Sequence, residues 1–479
     1  MNTAEPDRPA DPTAPAPPDP ETCRRARLAR DPRFDGEFFL AVRTTGIYCR
    51  PVCPARPPSE RNVHYYHSAA QAAQAGYRPC LRCRPESAPQ SPAWLGTATT
   101  VRRALQLIEA GALNEGSLGA LAARLGVGER YLRKLFQRQL GVSPTAVAHN
   151  QRLLFARKLL AETDLPITEV AFAAGFTSVR RFNGAVRTQF RQTPSDLRRR
   201  SRPRVESGIR LQLHYRPPYD WGGVRDFFAR HAVAGIEQVQ PGSYRRRLSL
   251  GGIAALIEVR PLPRRHALEL YIEDADHSRL MQLVSMVRRM FDLDANPAAI
   301  AEALAGDPLL EPLLHTCPGV RAPGWPTLYE ATVRAIVGQQ ISTVAARSIC
   351  ARLTQACAGD ARHPVFPSAA AIAELDNDHF PMPARRRESL QALCRQYRGR
   401  EEQLDCAALE GAQGVGAWTL ALAGMRGSGD PDVFPARDLG LERAWQALGG
   451  SDQALTRHAG RWRPWRTYAA NLLWRSLNS

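Results

Sequence analysis

The sequence has almost no lysine and no long apolar run. Lys134 and Lys158 are the only lysines among 479 residues, so arginine supplies the other 62 of the 64 basic side chains. No apolar stretch reaches the ~18 residues that a membrane helix needs. Residues 1–20, rich in Pro, Asp and Ala, lack the basic and then apolar order of a secretory signal. We therefore expect a chain that neither spans a membrane nor is exported.

Cysteines are too few and too scattered for a disulfide framework. The chain has ten, and six of them are isolated: Cys23, Cys317, Cys350, Cys357, Cys394 and Cys406. Such usage is typical of a reducing compartment, and we expect a cytoplasmic protein. The net charge of +18 favours a polyanionic partner, with nucleic acid first, although part of the arginine bias is compositional.

The length of the chain and the positions of its turn-forming and linker residues predict several domains rather than one. At roughly 150 residues per domain, the chain has room for about three or more cores, and no fixed-period repeat is visible. We predict a multidomain protein, mainly α with α+β parts. Its expected parts are a disordered tail (1–20), a small cysteine-containing unit (21–88), a helical domain (93–199), an α+β domain (210–290) and a second helical domain (291–479). Linkers are expected from Ser87 (SAPQSPAW) and over residues 198–204 (RRRSRPR). Mixed β-branched and aromatic runs predict strands at 211–215, 244–248, 253–259 and 267–272.

Four of the cysteines form two chelating pairs, Cys49-x3-Cys53 and Cys80-x2-Cys83. Four thiolates arranged as a tetrahedron are a preferred ligand set for Zn2+, so this spacing predicts a zinc site. From spacing alone, a purely structural zinc knuckle is the commoner interpretation.

The residues around the two cysteine pairs indicate a more specific function for the zinc site. Residues 41–56 (AVRTTGIYCRPVCPAR) and 76–85 (GYRPCLRCRP) closely resemble the N-terminal domain of the Ada family. The resemblance implies that Cys49 is both a zinc ligand and the nucleophile that takes a methyl group, irreversibly, from a methyl phosphotriester in DNA. It also implies phosphate contacts from Thr45, Arg56 and Arg78, whereas Pro54 stands where the family has a further basic residue.

Electrostatics give that methylation a consequence. Four thiolates on one Zn2+ leave a net charge of −2, and methylation of one sulfur reduces it to −1. Repulsion from the phosphate backbone then falls, so the methylated protein should bind DNA better. The zinc site can therefore act as a damage sensor.

Two helix-turn-helix patterns follow about 50 residues apart. Residues 117–136 (SLGALAARLGVGERYLRKLF) and 166–190 (PITEVAFAAGFTSVRRFNGAVRTQF) each place a glycine between an Ala-rich helix and a basic one. Together they resemble the tandem DNA-binding domain of AraC-type activators. That resemblance implies that two helices enter successive major grooves. The side chains expected to reach DNA are Arg130, Arg133, Ser178, Arg180 and Arg181. The alternative is that these arginines form an ordinary solvated face.

The C-terminal half lacks the Pro-Cys-His-Arg motif of the second methyltransferase with which the Ada pattern usually continues. It contains instead the stretches 215–221 (YRPPYDW), 289–297 (RMFDLDANP), 332–342 (TVRAIVGQQIS), 414–419 (GVGAWT), 432–441 (DVFPARDLGL) and 461–474 (RWRPWRTYAANLLW). These stretches resemble the AlkA family of 3-methyladenine DNA glycosylases, which belong to the helix-hairpin-helix superfamily. The resemblance implies a catalytic carboxylate at Asp438, for which a plain helix cap is the alternative, and a phosphate-binding hairpin at Gly414 and Gly416.

Further roles are implied by the same resemblance. Trp418 and Trp474 match aromatic residues of the base pocket, with core packing as the alternative for Trp474, and Gln340 matches the side chain that fills the gap left by a flipped base. Trp418 also stands where relatives that cleave the strand carry a lysine, so we predict base removal without lyase activity. Leu422 replaces a pocket tyrosine, and the hairpin lacks the usual Leu-Pro, which leaves the range of excised bases open.

Taken together, the patterns predict a DNA-alkylation response protein. Methylated Cys49 would activate transcription of repair genes, with promoter DNA and RNA polymerase as partners, and the C-terminal half would hydrolyse the glycosidic bond of alkylated purines. The alternative is a methylation-responsive regulator whose glycosylase-like half only binds DNA.

Overall fold

A computed structural model describes residues 18–89, 99–198, 208–359, 364–450 and 455–477. Residues 1–17 of the predicted tail lie outside the described residues. The same holds for both predicted linkers beyond their first residues, since 90–98 and 199–207 are not described.

Helices dominate the chain, as predicted. The described part up to residue 217 contains α1 (Pro20–Ala29), β1 (Phe39–Val42), β2 (Ile47–Cys49), β3 (Val63–Tyr66), α2 (Ala69–Gln74), β4 (Arg78–Pro79), α3 (Thr99–Glu109), α4 (Ala112–Glu115), α5 (Leu118–Arg124), α6 (Glu129–Leu140), α7 (Pro144–Glu162), α8 (Ile167–Ala173), α9 (Val179–Phe190), α10 (Pro194–Arg198) and β5 (Ile209–His214). The remainder contains α11 (Trp221–His231), β6 (Glu237–Gln240), β7 (Ser243–Leu250), β8 (Ile253–Leu262), β9 (Ala267–Glu273), α12 (Leu280–Met290), α13 (Pro297–Leu304), α14 (Glu311–Thr316), α15 (Leu328–Val337), α16 (Thr343–Ala358), α17 (Ala369–Glu374), α18 (Ala384–Gln396), α19 (Cys406–Leu409), α20 (Ala417–Ala423), α21 (Leu439–Ala447), α22 (Leu455–His458) and α23 (Arg466–Ser476).

Contacts within the chain group the residues into two compact units. The first unit comprises residues 1–217, 263–270 and 275–285, and the second comprises 218–262, 271–274 and 286–479. No helix in the described part of either unit is long and apolar enough to cross a membrane.

A four-stranded sheet in the order β3-β1-β2-β4 organises the N-terminal part of the first unit. Strands β1 and β2 are antiparallel, with Leu40 opposite Cys49, whereas β2 and β4 are parallel, with Tyr48 opposite Pro79. Parallel pairing brings the carboxyl ends of β2 and β4 side by side. Cys49 ends β2 and Cys80 directly follows β4, so the sheet itself brings the two cysteine pairs together.

The helices from α3 to α10 contain both helix-turn-helix units. Serine side chains cap three of these helices: Ser117 caps α5 and Ser178 caps α9, one helix of each helix-turn-helix unit, and Ser143 caps α7, which connects the two units. Each serine accepts a hydrogen bond from a backbone N–H in the first turn. Gly175 joins α8 to α9 with φ +80°, and a Cβ there would lie 2.2 Å from the Asn114 side chain. Both backbone conformation and space therefore require glycine in this turn.

In the second unit, β6, β7 and β8 form an antiparallel arrangement in which β7 is central. Sequence analysis found β7 and β8 but missed β6, a four-residue strand (EQVQ) with a single apolar side chain. Its first residue, Glu237, belongs to a buried network that spans β6, β7 and α15. Arg334 bonds Glu237 at 2.7 Å and Glu330 at 2.8 Å, and Arg246 bonds the same two carboxylates at 3.3 and 2.5 Å. This network anchors α15, the helix that precedes Gln339 and Gln340.

Candidate functional site

The four cysteines predicted as ligands converge on one point. Their sulfur atoms all lie within 4.8 Å of one another, and the Cys53 and Cys80 sulfurs are 4.0 Å apart. Zn–S bonds of about 2.3 Å in a tetrahedron require S–S separations of about 3.8 Å. All ten cysteines of the chain are free thiols. The geometry and the all-sulfur donor set therefore fit Zn2+, with Cys49, Cys53, Cys80 and Cys83 as ligands.

Backbone hydrogen bonds reach two of the four sulfurs. The Arg50 N–H donates to Cys83 Sγ at 3.3 Å, and the Arg82 N–H donates to Cys80 Sγ at 3.4 Å. Among the described residues, no N–H group donates to Cys49 Sγ. Because such bonds draw electron density from a thiolate, Cys49 keeps more nucleophilic character than Cys80 or Cys83.

Burial opposes the charge that the site must carry. Desolvation raises the pKa of the Cys83 thiol, while a hydrogen bond with Cys49 lowers the pKa of Cys53 to about 7. A bound dication offsets the desolvation of several thiolates at once, which is why metal binding at such sites releases protons. Zn2+ would supply this compensation.

A cavity of about 550 Å³ opens in front of three of the sulfurs, those of Cys49, Cys53 and Cys80. The residues predicted to contact phosphate, Thr45, Arg56 and Arg78, line the same cavity. Thr45 and Arg56 are exposed and Arg78 is partly buried. The cavity therefore combines a thiolate centre with cations, the chemistry required to hold a DNA phosphate next to a nucleophilic sulfur.

The residues that hold the metal-binding segment (residues 49–83, which carry the four cysteines) in place were not predicted. Arg50 is buried, and its guanidinium bonds Asp35 at 2.8 Å and the Cys83 carbonyl at 3.0 Å. Arg157, on α7, donates to the Cys80 carbonyl at 2.7 Å and pairs with buried Glu86 at 2.9 Å. Both arginines look like ordinary basic residues in the sequence, since their partners lie 15 to 77 positions away.

The side chains predicted to reach DNA from the helix-turn-helix units lie at the starts of α6 and α9. Ser178 caps α9 by accepting a hydrogen bond from the Arg181 N–H at 3.2 Å, and Arg133 pairs with Glu129 at 2.5 Å. All four arginines of the set are exposed: Arg130, Arg133, Arg180 and Arg181. Their position suits DNA contact, which stays a prediction.

The second unit brings Asp438 together with both predicted pocket tryptophans. Trp474 Nε1 donates to Asp438 Oδ1 at 2.9 Å, and Trp418 Nε1 donates to Asp438 Oδ2 at 2.9 Å. The Leu441 N–H also donates to Asp438 Oδ1, at 3.0 Å, which makes Asp438 the cap of α21. The carboxylate thus caps a helix and is held in one orientation by two indoles. Trp418 and Trp474 are partly buried, so neither is an ordinary core residue.

The hairpin before α20 is tied to the loop that carries Gln340. Gln339 Nε2 donates to the Gly414 carbonyl and to Thr419 Oγ1, each at 2.9 Å. Gln340 is exposed and has φ +57°, a strained conformation for a residue with a side chain. Gly414 has φ +76°, and a Cβ there would lie 2.2 Å from Ser389 Oγ; at Gly416 a Cβ would meet no atom within 4 Å. Of these two hairpin glycines, internal packing therefore requires Gly414 but not Gly416.

A buried cation next to Trp474 was not predicted. Arg426 lies in a π-helical turn, Gly424–Ser428, with its guanidinium 5.2 Å from the centre of the Trp474 ring. It donates to Asn471 Oδ1 at 2.9 Å and to the Pro323 carbonyl at 2.6 Å. Burial lowers the pKa of Arg426 to about 9. The arginine therefore holds Trp474 from the side of the protein interior.

Four family models match the chain in the order that the sites suggest. They are the metal-binding domain of Ada (residues 22–86), a helix-turn-helix domain (121–200), the AlkA N-terminal domain (210–326) and the HhH-GPD superfamily of base excision DNA repair proteins (333–464). Fold and sites therefore define a multidomain DNA-repair protein that joins a metal-binding segment and a DNA-binding domain to a base-excision domain.

Full-length relatives identify the family. The chain is 42% identical over 480 residues to the probable bifunctional transcriptional activator/DNA repair enzyme AlkA of Mycobacterium tuberculosis, covering 95% of this chain and 96% of that protein. The chain thus belongs to this family of bifunctional transcriptional activator/DNA repair enzymes. It is also 29% identical to DNA-3-methyladenine glycosylase 2 of Escherichia coli over 55% of this chain and 95% of that one. With the bifunctional enzyme Ada of E. coli it shares 40% identity over 31% of this chain and 40% of Ada.

Proposed function

We propose that the protein senses and repairs DNA alkylation through two separate sites. In the first unit, Cys49 accepts one methyl group per molecule from a methyl phosphotriester, and the methylated form activates repair genes. In the second unit, Asp438 supports hydrolysis of the glycosidic bond of alkylated purines such as 3-methyladenine. The observation that carries the first role is the all-sulfur metal centre, which faces a cavity lined with arginines.

The methyl transfer needs a thiolate and no added reactant. Cys49 Sγ attacks the methyl carbon, an S–C bond forms, and the C–O bond breaks with its electron pair left on the phosphate oxygen. The neutral triester becomes a phosphodiester anion, and Arg56 and Arg78, which line the cavity, would pair with it. Cys49 is 8% exposed and lines the cavity, so an extended DNA strand can present a methyl group to it.

Methylation lowers the negative charge of the centre by one and thereby favours binding to DNA. The helix-turn-helix arginines would then hold promoter DNA, and a promoter-bound activator would act through RNA polymerase. Transfer of a radiolabelled methyl group from phosphotriester DNA to the protein tests this role. We expect incorporation to stop at one methyl per chain; a protein that takes up no label would have a purely structural metal site.

The glycosylase role rests on the Asp438 carboxylate, which the indole N–H groups of Trp418 and Trp474 hold in one orientation. An N3- or N7-alkylated purine is already cationic, so its glycosidic bond can break without a general acid. Asp438 then has to stabilise positive charge on the sugar and orient the attacking water. The indoles of Trp418 and Trp474 fix that carboxylate and offer faces on which a cationic base can stack.

An Asp438→Asn variant separates catalysis from mere DNA binding. We expect it to release 3-methyladenine from methylated DNA at least about a hundredfold more slowly than the unaltered protein. Asp432→Asn is the matched control, because Asp432 lies on the same loop as Asp438 but forms its ion pairs with Arg463 and Arg466 rather than hydrogen bonds with the two tryptophans. Equal release by the Asp438 variant and the unaltered protein would instead favour a regulator whose second unit only binds DNA. The products should show a missing base and an uncut strand, because no lysine follows Lys158.

A further inference from the structure

The C-terminal end of α9, the basic helix of the second helix-turn-helix unit, packs against the metal-binding segment. Gln189 Nε2 donates to the Tyr77 carbonyl at 3.3 Å. Arg157 donates to the Cys80 carbonyl, and its guanidinium lies 5.7 Å from the centre of the Phe190 ring. The end of α9 therefore contacts the metal-binding segment directly through Gln189 and indirectly through Arg157, within the first unit.

Two side chains at this end of α9 enter the wall of the cavity at the metal centre. Phe190 and Gln192 line it together with Cys49, Arg56 and Arg78. Phe190 is buried and supplies an apolar surface. Gln192 supplies a carboxamide whose Oε1 is buried and has no hydrogen-bond partner among the described residues. The cavity wall therefore carries a carboxamide, whose two N–H groups can donate to an oxygen acceptor bound in the cavity.

We propose that Gln192 is a substrate-contacting residue of the methyl-transfer reaction, with its carboxamide bound to the non-bridging oxygen of the methyl phosphotriester. This inference rests on the proposed role of Cys49. In the part of the chain that the structure describes, no hydrogen bond to Oε1 fixes the orientation of the amide plane, so rotation about the last side-chain bond can point the N–H groups at the phosphorus-bound oxygens. A neutral amide suits a neutral triester better than another cation would, because it does not equally attract every undamaged, anionic phosphate.

The contact also strengthens during the reaction. When the S–C bond to Cys49 forms and the C–O bond breaks, the phosphate gains a full negative charge. A hydrogen bond to a charged acceptor is about twice as strong as a neutral one, so Gln192 would stabilise the transition state more than the bound substrate. Gln192 would thereby place the end of α9 on the damaged strand itself.

The test uses the full-length, zinc-loaded protein and a duplex with one methyl phosphotriester. In single turnover, Gln192→Ala should methylate Cys49 about tenfold more slowly, the effect of one hydrogen bond to a charged group. Gln192→Glu should be slower still, because its carboxylate repels the departing phosphate. Binding supplies a second measurement: the preference for a duplex with one neutral methylphosphonate, which cannot donate its methyl group, should fall several-fold in Gln192→Ala.

Gln189→Ala is the matched control. It removes a bond between α9 and the metal-binding segment without altering the cavity lining, so rate and methylphosphonate preference should stay near those of the unaltered protein. Zinc content and melting temperature are measured for each variant. The inference is overturned if Gln192→Ala reacts and binds like the unaltered protein, or if Gln189→Ala slows the reaction equally. An unaltered protein that acquires no methyl on Cys49 would overturn the proposed function instead.

Discussion

Replacing Arg157 by methionine should destabilise the metal-binding segment strongly. The guanidinium pairs with Glu86 at 2.9 Å, with the two side chains 4% and 1% exposed, and holds the Cys80 carbonyl at 2.7 Å. Without it, a buried carboxylate loses its ion-pair partner, which typically costs about 3–5 kcal/mol. Urea unfolding, followed by release of zinc to a chromogenic chelator, measures the loss. Burial already raises the pKa of Glu86, so the destabilisation should be larger at pH 8 than at pH 5, where more of the carboxyl is protonated.

The double variant Arg157→Met, Glu86→Gln decides whether the buried charge is the cause. A glutamine in place of Glu86 removes the unpaired charge and should restore most of the lost stability, to within about 1–2 kcal/mol of the unaltered protein. The reasoning is refuted if the single variant costs less than about 1 kcal/mol. It is equally refuted if the double variant is as unstable as the single one.

Two further predictions concern the second unit. Burial lowers the pKa of His231 to about 4, so its contribution to the free energy of unfolding should be lost as pH falls from 6.5 toward 4, by at most about 1.4 kcal/mol per pH unit. His231→Phe should remove this dependence of the free energy of unfolding on pH. Burial raises the pKa of Asp292 to about 7, which gives the opposite dependence in the same pH range. The quantity to measure is therefore the difference in the free energy of unfolding between the variant and the unaltered protein. Gly414→Ala places a Cβ 2.2 Å from Ser389 Oγ at φ +76° and should lower the free energy of unfolding in urea by about 1–3 kcal/mol. Gly416→Ala, whose Cβ would meet no atom within 4 Å, should lower it much less. Equal losses of stability in the two variants would contradict the hairpin geometry.

Short-range patterns predicted much of this protein. Ligand spacing sufficed for the cysteines because the metal itself dictates which side chains must meet. Turn glycines marked the helix-turn-helix units for the same local reason, since a tight turn between two helices depends on the conformation of its own backbone. The carboxylate at Asp438 and the two indoles came from resemblance, because 20 to 36 residues separate these partners and no periodicity links them.

Long-range polar contacts could not be predicted. Arg157 meets Cys80 across 77 positions, and Arg246 meets Glu330 across 84. Among 64 basic residues, nothing in the sequence distinguishes these buried arginines from solvated ones. Gln192 is a similar case, because its place in the cavity depends on how α9 packs against the metal-binding segment. Strand β6 was missed for a different reason: it is short, and its glutamate points into a buried ionic network rather than toward water.

Localising the transferred methyl group tests the central claim most directly. Three sulfurs line the cavity, those of Cys49, Cys53 and Cys80, so access alone does not select one. After reaction with a duplex carrying one methyl phosphotriester, peptide mass spectrometry should find a single methyl group, on Cys49, and none on the other cysteines. A methyl group on Cys53 or Cys80, or none on any cysteine, would contradict the account.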